Sequence, residues 1–416
     1  MRLVFLLLGQ LANPSFDEGM LGWQLESGAQ KGDGPAATVE VDAGELRFTS
    51  DSATRRWPMA AQTVDCPAGS RVLFTVAGRC RGLRPEGAQF ENGNAVVIFF
   101  DGAGRRLGIF GSPVLRGDRE RVLLHVHAFA PPGSARAKVA FFSSMSGTAW
   151  FDDARLSVTA ADDRPAAFEA LRLHFDRTYP YLGLHGAPAA PGEGEIAGVL
   201  REMLAPLKDL HVWIETPKGP VYTVVGNPNS PNWDGKALRA RLTDVVFENP
   251  THLVGRIGDI GYVAIGAWKK EGFQDLEAAI EKLADARALI FDVRANGGGD
   301  ETLGRRIAGR FAAAPVVYGL AQPRDPTLRG EGFLDPLEKR FEPLAPRDTR
   351  NVAVLQGPYC VSSTEWFLLM MGALDNVTTV GLKSRGATGN PQPFALFPGW
   401  NVWVPTQRGL MLDGTV

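Results

Sequence analysis

The hydrophobic period of this chain changes at about residue 160, and that change dictates two kinds of folding unit. From Asn13 to about Val158, apolar stretches of strand length alternate with turn clusters such as Phe16-Asp-Glu-Gly, Asp101-Gly-Ala-Gly and Pro131-Pro-Gly, with no helical period. Thr159 to Arg164 breaks the pattern. Pro165 then suits a first helical position, and Phe168, Leu171 and Phe175 recur at helical spacing. A second helix is expected from about Glu195 to Leu207. From Ile257 onward strands and helices alternate: Ile260–Ile265, a helix from Phe273 to Ala286, the continuous apolar strand Ala288–Val293, then Val352–Leu355, a helix from Thr364 to Ala373, and Val377–Val380. That β-α-β-α-β order means a mostly parallel α/β sheet, whose sites gather at the carboxyl ends of its strands. The chain is therefore expected to be multidomain: an all-β sandwich over 13–158, a small helical subdomain over 164–255 and an α/β core over 256–416.

The 416 residues are 44% hydrophobic and 22% charged, an ordinary soluble composition, and the 48 Gly and 29 Pro favour turns and short strands. A formal net charge of -2 gives no electrostatic reason to expect nucleic acid or an anionic membrane as partner. The three cysteines, Cys66, Cys80 and Cys360, form no C-x-x-C pair, which excludes a zinc ribbon. Cys66 and Cys80 either meet across neighbouring strands or are buried thiols. Residues 1–12, one arginine followed by a short apolar run, are signal-like, which points to an extracytoplasmic protein. No later run reaches the length of a transmembrane helix.

The N-terminal segment opens with Asn13-Pro-Ser-Phe-Asp-Glu-Gly and Gly22-Trp23, and closes with Ala149-Trp-Phe-Asp-Asp-Ala-Arg-Leu-Ser-Val. These ends resemble the first and last strands of galactose-binding-like jelly rolls, the fold of many carbohydrate-binding modules. The resemblance implies a glycan or cell-surface ligand. Sugar sites need exposed rings, and Trp23, Trp57, Phe90 and Trp150 are the aromatics to hand, although rings in a sandwich more often fill its core. His125-Val-His127 places two imidazoles on one strand face; with no third ligand in view, a packed face is expected rather than a metal site. Gly102-Ala-Gly104 reads as a hairpin turn, since no lysine or helix follows it.

Three loops of the C-terminal half carry chemistry. Asp292-Val-Arg-Ala-Asn-Gly-Gly-Gly299 follows a buried strand, and its glycines allow close backbone approach and convergent N–H groups. Gly357 to Glu365 leads into the wholly apolar helix beginning Trp366-Phe-Leu-Leu-Met-Met, which sets Ser362 at a buried helix N-terminus. Two readings of Ser362 stand side by side there: a nucleophile, or the first residue of the capping box Ser362-x-x-Glu365. Asp209-Leu-His211 offers the best placed of the six histidines as a base.

In order, Leu207 to Val212, Asp292 to Gly299, Ser362 to Glu365 and Gly381 to Asn390 resemble the motifs of the tail-specific and tricorn-core serine peptidases, from about Phe168 to the last residue. The resemblance implies peptide-bond hydrolysis with no metal or organic cofactor and a peptide or protein as substrate. It assigns Ser362 as nucleophile, with oxyanion donors at the Ser363 and Gly298 N–H groups. The tail-specific branch uses a lysine in the loop matching Gly381 to Gly389; Ala387 stands at that position and Lys383 falls too early. The tricorn-like branch uses a histidine at the position of His211, which is therefore the expected base. Residues 216–250 are too short for the PDZ domain of many relatives. Two departures matter. Leu210 replaces a serine beside the base, and the family's glutamate after Asp-Gly-Thr would fall just past Val416. They motivate a rival expectation, an impaired peptidase-like scaffold whose sandwich binds glycan or protein.

Overall fold

A computed structural model describes residues 11–29, 38–50, 56–84, 93–189, 192, 194–224, 232–328 and 332–416. The signal-like residues 1–10, Phe90 and part of the 216–250 stretch lie outside them, as does the side chain of Trp57. The first ten strands are β1 (Gln24–Ala29), β2 (Thr38–Asp42), β3 (Glu45–Ser50), β4 (Arg56–Asp65), β5 (Arg71–Arg84), β6 (Gly93–Asp101), β7 (Arg106–Gly111), β8 (Gly117–Phe129), β9 (Ser134–Ser143) and β10 (Ser146–Thr159). They form two five-stranded antiparallel sheets, ordered β1-β4-β9-β6-β7 and β2-β3-β10-β5-β8. Alternate residues point inward, so Val72, Phe74 and Val76 of β5 enter the core while Arg71, Leu73 and Thr75 face out. Phe141 sits at the centre, its ring 4.8 Å from Trp23, 5.8 Å from Phe74 and 5.2 Å from Phe151.

The opening and closing segments meet. The Trp23 indole donates to the Asn13 carbonyl at 3.0 Å and the Ala154 N–H to the Pro14 carbonyl at 2.9 Å. Trp23 is thus core, and Trp150 lies half-buried under the Arg79 guanidinium, 3.9 Å from its ring centre. Cys66 and Cys80 are buried free thiols, as is Cys360. Gly102-Ala-Gly104 forms the β6–β7 turn, with Gly104 at φ +82°.

Beyond the linker, the Asp163 carboxylate caps α1 (Arg164–Thr178) by accepting from the Ala166 N–H at 3.0 Å. There follow α2 (Leu182–His185), α3 (Ile196–Leu204), β11 (Trp213–Thr216), β12 (Gly219–Tyr222), α4 (Gly235–Arg239), β13 (Asp244–Glu248), β14 (His252–Ile257), β15 (Ile260–Ile265), α5 (Phe273–Glu281), β16 (Ala288–Asp292), α6 (Glu301–Gly309), β17 (Val316–Pro323), β18 (Leu337–Phe341), β19 (Asn351–Gln356), α7 (Ser363–Gly372), β20 (Val377–Gly381), β21 (Pro391–Phe397), β22 (Trp400–Pro405) and β23 (Gln407–Leu410). The largest sheet runs β13-β14-β15-β16-β19-β20; its last four strands are parallel and the first two antiparallel. Helices α5, α6 and α7 cover it with a core that includes Phe291, Ile307, Phe367 and Met370.

A smaller sheet, β12-β11-β22-β21, is covered by α1 and α3 through Leu171, Phe175, Leu200 and Leu204. The 164–255 stretch therefore holds strands as well as helices, and β22 and β21 from the far end of the chain complete its sheet. A third sheet, β18-β17-β23, closes the remaining side.

Candidate active site

Three loops converge at the carboxyl ends of β16, β19 and β20, where open α/β sheets place their sites. The loop after β16 is held from inside. The Asp292 carboxylate, 2% exposed, accepts from the Arg294 backbone N–H (3.0 Å), from Arg294 Nη2 (2.6 Å) and from the Tyr262 hydroxyl. The Asn296 Oδ1 accepts from the Gly298 N–H at 2.9 Å and from the Thr364 hydroxyl at 2.7 Å. The Gly299 carbonyl accepts from Ser363 Oγ at 2.5 Å. The glycine loop is thereby zipped to the first turn of α7.

The packing leaves no room for a side chain at Gly298 or Gly299. Gly298 has φ +103°, and a Cβ there would lie 2.9 Å from Ser362 Cβ and 3.1 Å from the Val361 carbonyl oxygen. A Cβ on Gly299 would lie 2.1 Å from the Trp268 carbonyl oxygen. Gly298→Ala is expected to cost about 1–3 kcal/mol, the scale of a strained non-glycine backbone, and to displace Ser362. Urea denaturation reads the first effect, and loss of labelling by a fluorophosphonate reads the second.

Ser362 ends the β19 turn and begins α7. Its backbone has φ +62° and ψ -127°. An N-cap residue rests in the extended region with negative φ. A serine held at positive φ is strained by about 1–3 kcal/mol, and such strain clusters at functional sites. The capping relationship with Glu365 is present, with the Ser362 N–H donating to Glu365 Oε2 at 3.2 Å. Capping alone does not account for the turn.

Glu365 does more than cap. Its carboxylate also accepts from the Gly386 N–H at 2.5 Å and the Ala387 N–H at 2.7 Å, and the Ala387 carbonyl accepts from the Ser362 N–H at 2.8 Å. Burial raises the Glu365 carboxyl above its usual range, against the lowering pull of those N–H donors. The loop from Gly381 to Asn390 is thus fastened to the serine turn through the backbone of Ala387, whose side chain offers no base. Lys383 is exposed and stands outside the cavity described below. Glu365→Ala leaves the Gly386 and Ala387 N–H groups without their acceptor, while the Ser362 N–H keeps the Ala387 carbonyl. It is expected to cost about 2–4 kcal/mol in chemical denaturation, from a penalty of about 1–3 kcal/mol for each buried unsatisfied group, partly relieved by water.

His211 follows the helical turn that ends at Leu207. The Asp209 Oδ1 accepts from its backbone N–H at 2.8 Å, which fixes the chain on entry to β11. The other oxygen, Oδ2, accepts from the Tyr179 hydroxyl at 2.8 Å and lies 3.9 Å from His185 Nδ1. Asp209 therefore holds the backbone of His211 rather than its imidazole. Burial lowers the His211 pKa, and the Asp209 charge pulls the other way. Sequence reasoning had no access to Tyr179 and His185 as partners of Asp209, because they meet it only through the packing of α1 and α2.

Ser362, Ser363 and His211 line one cavity of about 800 Å³, together with Leu210, Trp213 and Trp366. Gly297 and Gly299 line it too. Gly298 approaches the Ser362 side chain from behind, and its N–H is donated to Asn296. Among the described residues the Ser363 N–H has no acceptor. Leu210 presents an apolar wall beside His211. Within the described residues no group of three or more His, Cys, Asp or Glu is placed to hold a metal ion.

Residues 259–416 match Peptidase family S41. That part of the chain is an S41 peptidase domain. The match takes in the glycine loop, Ser362 and the Gly381–Asn390 loop, and begins after His211. The structure is similar to that of a candidate peptidase from Parabacteroides merdae, at 25% identity over 60% of this chain and 84% of that one, with a TM-score of 0.51. The photosystem II D1 C-terminal processing protease is 14% identical over 61% of this chain and 90% of its own, with a TM-score of 0.39. A candidate S41 protease from Bacteroides fragilis is 13% identical over 58% and 85%, with a TM-score of 0.39. No curated protein matches the chain. Among the described residues, no helix beside the S41 domain or within it is long and apolar enough to cross a membrane.

Proposed function

We propose that this protein hydrolyses peptide bonds through an acyl-enzyme on Ser362, with His211 as general base. The observation that carries the reading is the backbone of Ser362: φ +62° at the N-terminus of a buried helix, its side chain against Gly298, in the cavity it shares with His211. A serine that only capped α7 would have no reason to bear that strain.

In this reading Ser362 Oγ attacks the scissile carbonyl carbon and its proton passes to the His211 imidazole. The negative oxygen that forms is stabilised by the Ser363 N–H and the amino end of α7. The Gly298 N–H joins once substrate competes with Asn296, since catalytic hydrogen bonds tighten in the complex. The C–N bond then breaks as His211 gives its proton to the leaving amine; water attacks the ester while His211 takes its proton, and the bond to Ser362 Oγ breaks as His211 returns that proton to Oγ, releasing the acid. No cofactor takes part. The signal-like N-terminal sequence supports an extracytoplasmic site of action, and the sandwich has an accessory role.

Peptide and ester substrates compared side by side test the reading. An unfolded protein substrate is expected to yield defined fragments by mass spectrometry, and Ser362→Ala to stop their release. Ester cleavage without peptide cleavage makes the protein an esterase. No hydrolysis of either by a folded protein favours the impaired scaffold, for which Leu210 beside the base is the motive.

A further inference from the structure

One end of the outward face of the sandwich sheet β2-β3-β10-β5-β8, at Arg71 of β5 and His127 of β8, packs against the catalytic half, while farther along the same strands Leu73, Thr75 and Leu123 line a cavity of about 740 Å³. Phe394 of β21 is held between two imidazoles. His127 of β8 stacks on it at 4.7 Å and 22°, and His174 of α1 stacks on it at 4.4 Å and 26°. Arg71 of β5 reaches across the same seam. Its Nη2 donates to the Leu396 carbonyl at 2.5 Å and to the Ala161 carbonyl at 2.9 Å, while Nη1 lies 2.9 Å from His127 Nε2. Arg71 is 1% exposed, and its guanidinium lies over the rings of Phe129 and Phe397.

The gripped strand leads to the catalytic cavity. Phe394 pairs with Val402, and Val402 pairs with Ile214, which stands three residues after His211. In the next row Pro393 pairs with Trp403 and Trp403 with Trp213, the two indoles stacked 4.9 Å apart. Trp213 lines the cavity beside His211, as do Asn390 and Pro391 at the start of β21. A displacement of β21 is thus transmitted through two strand pairings to the base.

We infer that the N-terminal sandwich is a working part of the peptidase, in which Arg71 is a positioning residue that holds the sheet flanking His211. The catalytic arm of this inference rests on the proposed function, and the structural arm does not. A glycan or cell-surface ligand of the sandwich then has to engage a surface outside the seam at Arg71 and His127.

The seam is also acid-sensitive. Burial pushes His125 down to about 4, His127 to about 3 and His174 to about 3. The charged groups facing them are Arg71 beside His127, Arg177 and Asp176 beside His125, and Asp163 beside Arg71. The sequence of β21, PQPFALF, brings none. Each imidazole is neutral in the closed seam and takes up a proton readily only when it opens. Its contribution to stability is therefore complete above about pH 6.5 and lost as pH falls from there toward 4 and 3.

Hydrogen exchange by mass spectrometry on the full chain, paired with fluorophosphonate labelling rates, tests the inference. Arg71→Ala is expected to speed exchange about 10-fold in residues 213–216 and 391–397, leave 351–356 and 363–372 protected, and slow labelling about 10-fold. With a peptide substrate the loss is expected in kcat rather than KM. Arg71→Lys should recover part of both effects, since an ammonium reaches one of the two carbonyls. Phe394→Leu, which keeps apolar volume and removes the stacked ring, should reproduce the pattern should Arg71→Ala fail to fold. Lowering the pH of the unaltered chain from 7 to 5 should loosen the same two strands first. Faster exchange confined to residues 56–163, or spread evenly over the chain, with unchanged labelling would overturn the inference. Were the unaltered protein not to label at all, the proposed function fails and the exchange pattern alone decides this one.

Discussion

Ser362→Ala is expected to lower peptide hydrolysis by about 10⁴-fold or more while the protein stays folded, because the atom that forms the acyl bond is gone and only binding and the oxyanion donors remain. Ser362→Gly is the sharper companion. Glycine adopts φ +62° without penalty, so the variant sheds about 1–3 kcal/mol of strain and gives back about 0.5–1 kcal/mol in chain entropy. It should be equally inactive and about 1 kcal/mol more stable by urea denaturation. A cap serine predicts the reverse: both variants lose stability and neither changes any activity.

The second large effect belongs to His211. Its replacement by alanine is expected to cost about 10³- to 10⁴-fold in kcat/KM, since serine is a poor nucleophile without a base. Burial holds the imidazole pKa below its usual value, so the neutral, proton-accepting form persists at lower pH than for a free histidine. The acid limb of the kcat/KM profile should therefore fall below about pH 6.5, and it should vanish in His211→Ala. An acid limb above that value assigns the base to another group.

Much of this was legible in the sequence. The change of period near residue 160 and the strand–helix alternation after Ile257 are local signals, and α1, α5, α7 and the parallel strands lie where those signals put them within a few residues. The order of motifs likewise marks out the loops that converge. What was not legible is whatever depends on distant packing. Ser362-x-x-Glu365 has the sequence of a cap whether φ is negative or +62°. The second role of Glu365, as acceptor for Gly386 and Ala387, joins positions more than twenty residues apart. His125-Val-His127 read as a packed strand face, and the partner that packs it, Phe394, lies near the other end of the chain. The resemblance implies the Gly298 N–H as an oxyanion donor, and what it could not show is that Asn296, two residues earlier, accepts from that N–H in this structure. The sheet within 164–255 is not legible locally, because β11 pairs with β12 on one side and with Trp400–Pro405, from the far end of the chain, on the other.

The central claim, that Ser362 is the activated nucleophile, is tested most directly by mass spectrometry of the intact protein after reaction with a fluorophosphonate. The account predicts one adduct per chain, mapped by fragmentation to Ser362, absent in Ser362→Ala and formed far more slowly in His211→Ala. A folded protein that takes up no adduct, or one whose adduct survives Ser362→Ala, would contradict it.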